Sequence, residues 1–158
     1  MANAFLLDIF WSLCFAVGML YHSYTDIQEM LLYDSTNMLL AFLGLLRACQ
    51  WGMLYECITG ALVLGLVMLL VYLASCGGMG EGDVKLTVVL GLWLGIERGL
   101  ACLVLAFVSG ALVGGLLILH RRTRAHQQLP FGPFLCISAL LCYFYGWEIL
   151  AWYVQLWR

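Results

Sequence analysis

Two aspartates stand where uncharged runs of this chain end. Asp26 follows the run 9–25, and Asp83 lies in Gly80-Glu81-Gly82-Asp83, ahead of Lys85 and Leu86, between the runs 57–80 and 86–96. Paired carboxylates suit the hydrolysis of a peptide bond. One acts as general base on water while the other, protonated, donates to the carbonyl oxygen. Two carboxylates held close cannot easily both ionise, so they share a proton and titrate as a unit, and desolvation near a membrane interface reinforces the sharing. Gly80 and Gly82 remove side chains where a substrate backbone would approach, and they permit a turn into the next helix. Read alone, G-x-G-D is also an ordinary loop turn. An acid just past an apolar run is ordinarily a solvated loop residue, and on spacing Asp34 and Glu29 compete with Asp26 as the partner acid.

The elements that must position these acids are membrane helices. The chain has 158 residues, 65% hydrophobic and 10% charged, with a mean hydropathy of +0.99. A soluble domain carries about 25% charged residues, so lipid must be the main solvent here. One integral membrane domain over 1–158 is expected. The net charge of −2 offers no footprint for nucleic acid. Met1-Ala2-Asn3-Ala4 lacks a basic region, so the first apolar run is read as a retained span. The seven cysteines, Cys14, Cys49, Cys57, Cys76, Cys102, Cys136 and Cys142, form no C-x-x-C pair and mostly lie in apolar runs, where cysteine behaves as a small hydrophobe. His22, His120 and His126 have no metal-ligand spacing and are expected at the interface. Ser23, Ser75 and Ser109 lack a neighbouring base. No metal and no cofactor are expected.

Charges cut the chain into uncharged runs at 9–25, 35–46, 57–80, 86–96, 99–120 and 125–147. A helix needs about 20 residues to cross a bilayer core. The two short runs, 35–46 and 86–96, qualify only if their flanking charges lie at the interface, with Arg47 snorkelling outward. The expected helices are therefore about six: roughly 4–23, 35–54, 57–75, 83–97, 99–119 and 131–150. The stretch Gly82–Arg98 would rise roughly 25 Å, short of a core of about 30 Å, which draws Asp83 to the headgroup boundary. Two crossings separate Asp26 from Asp83, so both face one side. His120-Arg121-Arg122-Thr123-Arg124-Ala125-His126 falls on that side too, and a dense basic loop marks the cytoplasm. Asp34-Ser35-Thr36-Asn37 offers N-cap chemistry to the second helix. Gly110, Gly114 and Gly115 allow close helix approach. Trp147, Trp152, Tyr153 and Trp157 suit an outer aromatic belt. Pro130 and Pro133 set the first turn of the last helix.

Three segments resemble type IV prepilin peptidases. Asp26 through Asp34 is similar to the first catalytic-aspartate segment, where an Asp or Asn follows eight residues on. Gly80-Glu81-Gly82-Asp83-Val84-Lys85-Leu86 matches the second motif, G-x-G-D-x-K-L. Leu129-Pro130-Phe131-Gly132-Pro133-Phe134-Leu135 resembles the P-F-G-P segment that opens the last span. The motifs come in family order and cover about residues 20–140. The resemblance implies an all-α, polytopic GxGD aspartic protease in the bacterial cytoplasmic (inner) membrane. It implies Asp26 and Asp83 as the catalytic pair at the cytoplasmic face, and prepilin or pseudopilin substrates whose short basic leader is cut just before a hydrophobic helix. Gly80, Gly82 and Lys85 are supporting motif residues. Asp34, Pro130, Gly132 and Pro133 are structural or substrate-side positions. Lys85 could hold the ionised form of Asp83, orient the leader backbone, or simply snorkel. Glu81 and Glu29 could attract leader lysines and arginines.

Tyr33 departs from the family, taking the place where proline is usual. Long bifunctional members also carry an insertion with paired C-x-x-C zinc ligands, tied to N-methylation; this chain shows none, so N-methyltransferase activity is not expected. The signal-peptide-peptidase and presenilin group shares G-x-G-D but has a later P-A-L segment where this chain has P-F-G-P. A noncatalytic membrane protein, either a small transporter or an assembly scaffold, is the rival from another class. A transporter should place charged or broken positions at mid-membrane depth, whereas both aspartates fall at span ends.

Overall fold

The computed structural model describes residues 2–75, 78–120 and 130–155, and the side chains of these except 2–4, 118 and 153. The basic loop beyond His120, with Leu129, Cys76, Trp157 and Arg158, lies outside the described residues. Five helices follow in chain order: α1 (Ala2–Glu29), α2 (Asp34–Trp51), α3 (Leu54–Ala74), α4 (Glu81–Leu119) and α5 (Gly132–Gln155). No strand occurs among the described residues. The all-helical expectation holds, while several boundaries move.

Helix α1 does not stop near residue 23. It runs on to Glu29, which puts Asp26 in its last turn. The two-residue connection of α2 to α3 falls three residues earlier than expected, at 52–53. Gly52 (φ 68°, ψ 20°) adopts the left-handed conformation that ends a helix. Its N–H donates to Cys49 O while Met53 N–H donates to Ala48 O, a paired closure that leaves a two-residue turn. The expected boundary between fourth and fifth helices appears as a break inside α4, at Gly95 (φ 72°, ψ −169°), a backbone state open essentially to glycine alone. The stretch before it, 81–94, rises about 21 Å and cannot cross a core of about 30 Å unaided. Among the described residues four helices (α1, α3, α4 and α5) are long and apolar enough to cross a membrane. With Asp34 and Arg47 in it, α2 is not among them, so the expectation of about six crossings is not confirmed.

Lipid removes the usual penalty on exposed apolar surface, so helices associate through close packing and interhelical hydrogen bonds. Large apolar side chains accordingly line the outside, Leu62, Leu112 and Phe144 among them. Inside, Trp93 of α4 is the node. Its indole N–H donates to Leu40 O of α2 at 2.9 Å, and its ring lies 5.0 Å from that of Phe15 in α1. Phe15 in turn stacks on Tyr143 of α5 at 4.7 Å. Gly44 admits the indole, since a Cβ there would stand 2.8 Å from Trp93 Nε1.

The close helix approach is real but sits elsewhere than expected. A Cβ at Gly110 would make only ordinary contact with Phe131, and one at Gly115 would meet nothing. Backbone-to-backbone packing instead joins α3 to α4. A Cβ at Gly91 would lie 2.5 Å from Ala61 Cα, and one at Gly60 would lie 2.7 Å from Gly91 O. Small residues in a membrane chain mark possible contacts, and the partner surface decides which are used.

Candidate active site

Both aspartates are buried: Asp26 is 7% exposed and Asp83 6%. They line one cleft of about 430 Å³ together with Tyr33, Asp34, Gly82 and Lys85, and they lie within electrostatic reach of each other. The pair thus joins the C-terminal turn of α1 to the N-terminal turn of α4, and α5 closes over it. Neither acid is the solvated loop residue that its sequence neighbourhood permits.

Asp26 is held from an unexpected direction. The Gly132 N–H, in the first turn of α5, donates to Asp26 Oδ2 at 2.9 Å. The first amides of a helix have no partner within it, so a carboxylate placed there satisfies one of them and fixes its own orientation. A Cβ at Gly132 would stand 2.5 Å from that oxygen, so only glycine lets the carboxylate reach the amide. Pro133 follows at a position where its missing N–H costs nothing, and half-buried Pro130 packs outside the cleft beside Phe107 and Phe134. Spacing offered no sign of this contact, because 106 residues separate its partners.

On the other side, Asp83 N–H donates to Gly80 O at 3.2 Å, which turns the chain into α4. Thr87 Oγ1 donates to Asp83 O at 2.7 Å. Gly80 and Gly82 have no positive φ, and only Gly82 has a steric demand: a Cβ there would press on Leu32 Cβ at 3.0 Å, whereas one at Gly80 would make ordinary contact with Asp83 Oδ2 at 3.6 Å. Glycine at 82 keeps the 30–33 turn close to the start of α4. That turn is itself bent at Met30, which has φ 52°, a conformation costing a non-glycine residue roughly 1–2 kcal/mol.

Three further expectations change. Lys85 does not serve Asp83; its Nζ lies 2.9 Å from both Asp34 oxygens and 4.0 Å from Glu81. Asp34 is therefore not the helix cap. Tyr33 takes the N-cap position of α2 without a side-chain cap bond, and its hydroxyl donates to Glu29. His22, expected at the interface, is fully buried, and α1 runs about two further turns past it to Glu29. Asn37 is buried as well. A signal for His22 lay in periodicity: it precedes Asp26 by one turn, as Thr87 follows Asp83 by one. Among the described residues no cluster of three or more His, Cys, Asp or Glu could hold a metal ion.

The family profile described as type IV leader peptidase matches residues 13–115, which include both aspartates. This chain belongs to the type IV leader peptidase family. Among its relatives, the prepilin leader peptidase/N-methyltransferase of Legionella pneumophila is 33% identical over 141 residues, covering 85% of this chain and 49% of the relative. Its Bacillus subtilis counterpart of the same name is 30% identical over 157 residues, covering 95% and 61%. That of Aeromonas hydrophila is 34% identical over 139 residues, covering 84% and 48%. The chain thus spans about half to three fifths of the length of these relatives. No solved structure matches. The apolar helices together with the leader peptidase family fit a multi-pass membrane protein.

Proposed function

We propose that this chain is a membrane-embedded aspartic endopeptidase that removes the short basic leader of prepilin-like proteins at the cytoplasmic face of the bacterial inner membrane. The observation that carries the reading is the burial of Asp26 and Asp83 in one cleft. Like charges brought together out of water are costly to folding and useful to hydrolysis. The ionised member of the pair takes a proton from water as its oxygen attacks the scissile carbonyl carbon. The protonated member gives its proton to the carbonyl oxygen, leaving a neutral tetrahedral diol. Collapse of the diol then breaks the C–N bond, with one proton passing to the departing nitrogen. The Gly132 amide holds Asp26 in place through these steps.

The surroundings suit such a substrate. A pilin helix is apolar and partitions into the bilayer, which brings its leader junction to the depth of the cleft. Glu81 is exposed at the rim, where it can meet basic leader residues. Both aspartates occupy helix ends, Asp26 in the last turn of α1 and Asp83 in the first of α4, which favours interfacial cleavage over an ion path at mid-depth. The names of the relatives support the same reaction, and the proposal concerns the peptidase step alone.

The test is cleavage of a prepilin with an intact leader by the purified protein. Asp26→Asn and Asp83→Asn should each lower kcat by about 10²–10⁴-fold or more while membrane insertion stays normal. Leader removal at the normal rate by either variant would refute the assignment.

A further inference from the structure

One helical turn deeper than the aspartates lies a polar layer that the hydrolytic steps above do not use. In α1, His22 precedes Asp26 by four residues, and in α4, Thr87 follows Asp83 by four. Helix α1 runs toward the cleft and α4 runs away from it, so both steps lead inward on the same faces. Asn37 of α2 reaches this level by another route. Leu40 packs on Gly18, where a Cβ would lie 2.6 Å from Leu40 Cδ2. His22 and Asn37 each stand one turn from that contact, on the side of the cleft. His22 and Thr87 are 0% exposed and Asn37 is 5% exposed. Deeper still the packing is apolar, with Phe15, Met19 and Leu90.

Thr87 is satisfied by the Asp83 carbonyl. Neither ring nitrogen of His22, and neither polar atom of the Asn37 carboxamide, has a hydrogen-bond partner among the described residues. Buried polar atoms are seldom left in that condition. A neutral imidazole offers one donor and one acceptor, and a carboxamide offers both kinds. The species that answers both must itself donate and accept. Water does so, while an anion or a cation meets only half of the set.

We propose that His22 and Asn37 hold water directly behind Asp26 and Asp83, and that they act as positioning residues which present the hydrolytic water to the pair. This rests on the pair being the catalytic centre. A substrate lying in the cleft shuts bulk water out of its mouth. Water held on the far side stays in contact with the carboxylates after the substrate has docked.

Two measurements test this on the full chain. In cleavage kinetics, His22→Phe and Asn37→Leu should each lower kcat by about tenfold to a hundredfold with KM unchanged. His22→Gln, which keeps a donor and an acceptor, should retain most of the rate. Wild-type kcat in both apolar variants would overturn the proposal, as would a rise in KM alone, which would make these residues substrate contacts. Hydroxyl-radical footprinting of the unmutated protein needs no variant to fold. Radiolysis labels buried side chains beside held water, so His22 should be labelled while Phe15, equally buried, is protected. Protection of His22 to the level of Phe15 would overturn the water site. Footprinting reads hydration whether or not the protein cleaves. Labelled His22 in a protein that cuts no prepilin would sink the peptidase reading alone, and protected His22 in an active peptidase would sink the water site alone.

Discussion

At one end of the helix bundle Arg47 and Arg98 are set into aromatic packing, and at the other Asp26 and Asp83 are set into a cleft; the two ends hold charge in different settings. Each arginine, half-buried, donates to a backbone carbonyl. Arg47 Nη1 donates to Trp93 O at 3.2 Å, and Arg98 Nε donates to Leu94 O at 3.2 Å. Those are the two carbonyls just ahead of the break at Gly95, which lack regular helical amides to accept from. The guanidinium of Arg47 lies 5.7 Å from the ring centroids of Trp93 and Tyr143, and that of Arg98 lies 5.4 Å from Trp147. Arg47, expected to snorkel outward, turns inward because the break supplies acceptors there. Like charges neighbour one another at both ends, Arg47 beside Arg98 and Asp26 beside Asp83. The setting differs: the arginines lie against aromatic faces and backbone carbonyls, whereas the aspartates line an open cleft.

The contrast can be broken at several points. The largest effect belongs to the aspartates, whose Asn variants should lose cleavage with little loss of folding. The arginines should behave in the opposite sense. Arg98→Met should cost about 1–3 kcal/mol of stability in a detergent-unfolding assay yet leave kcat of the remaining folded protein unchanged. An inactive but fully stable Arg98 variant would erase the distinction between the two ends. Next comes Gly132→Ala. The methyl group must displace the Asp26 carboxylate from the α5 amide, and kcat should fall by about tenfold to a hundredfold. Unaltered kinetics would mean that the amide contributes nothing to the pair.

The dependence on pH sharpens the comparison further. A pair sharing one proton is active only between its two ionisations. The kcat/KM should therefore rise with pH as the first proton leaves and fall as the second leaves. Arg98→Met should not move that bell, and a profile flat into strong acid would rule out a shared proton. The smallest effect is expected at Met30, whose positive φ lies on the cleft side. Met30→Gly should stabilise the fold by up to about 1 kcal/mol, read as a raised midpoint of thermal unfolding. A loss of stability would show that the Met30 side chain outweighs its backbone strain.

Some elements were legible in the chain and others were not. Helix class, the short stretch that opens α4 and the two acids at span ends follow from apolar runs and from the points at which charges interrupt them. The end of α1 was not legible, since nothing after residue 23 marks a stop and the helix continues until Met30 turns the chain. Sequence proximity leaves Lys85 open to Asp83, to a leader backbone or to the interface, and α2 brings Asp34 within its reach. Gly110 and Gly115 looked like packing positions, whereas Gly60 and Gly91 are the ones that touch backbone. For Lys85 and the glycines the local pattern leaves the partner open, and helix packing chooses it.

Local composition alone settled that this chain is helical, lives in lipid and carries acids at Asp26 and Asp83, because hydropathy and motif order need no knowledge of which segment meets which. Three arrangements belong only to the folded chain: the amide of Gly132 on Asp26, the inward turn of Arg47, and the burial of His22 and Asn37. Each joins residues that are remote in sequence and brought together by helix packing, and no spacing along one helix encodes how far a second helix approaches it.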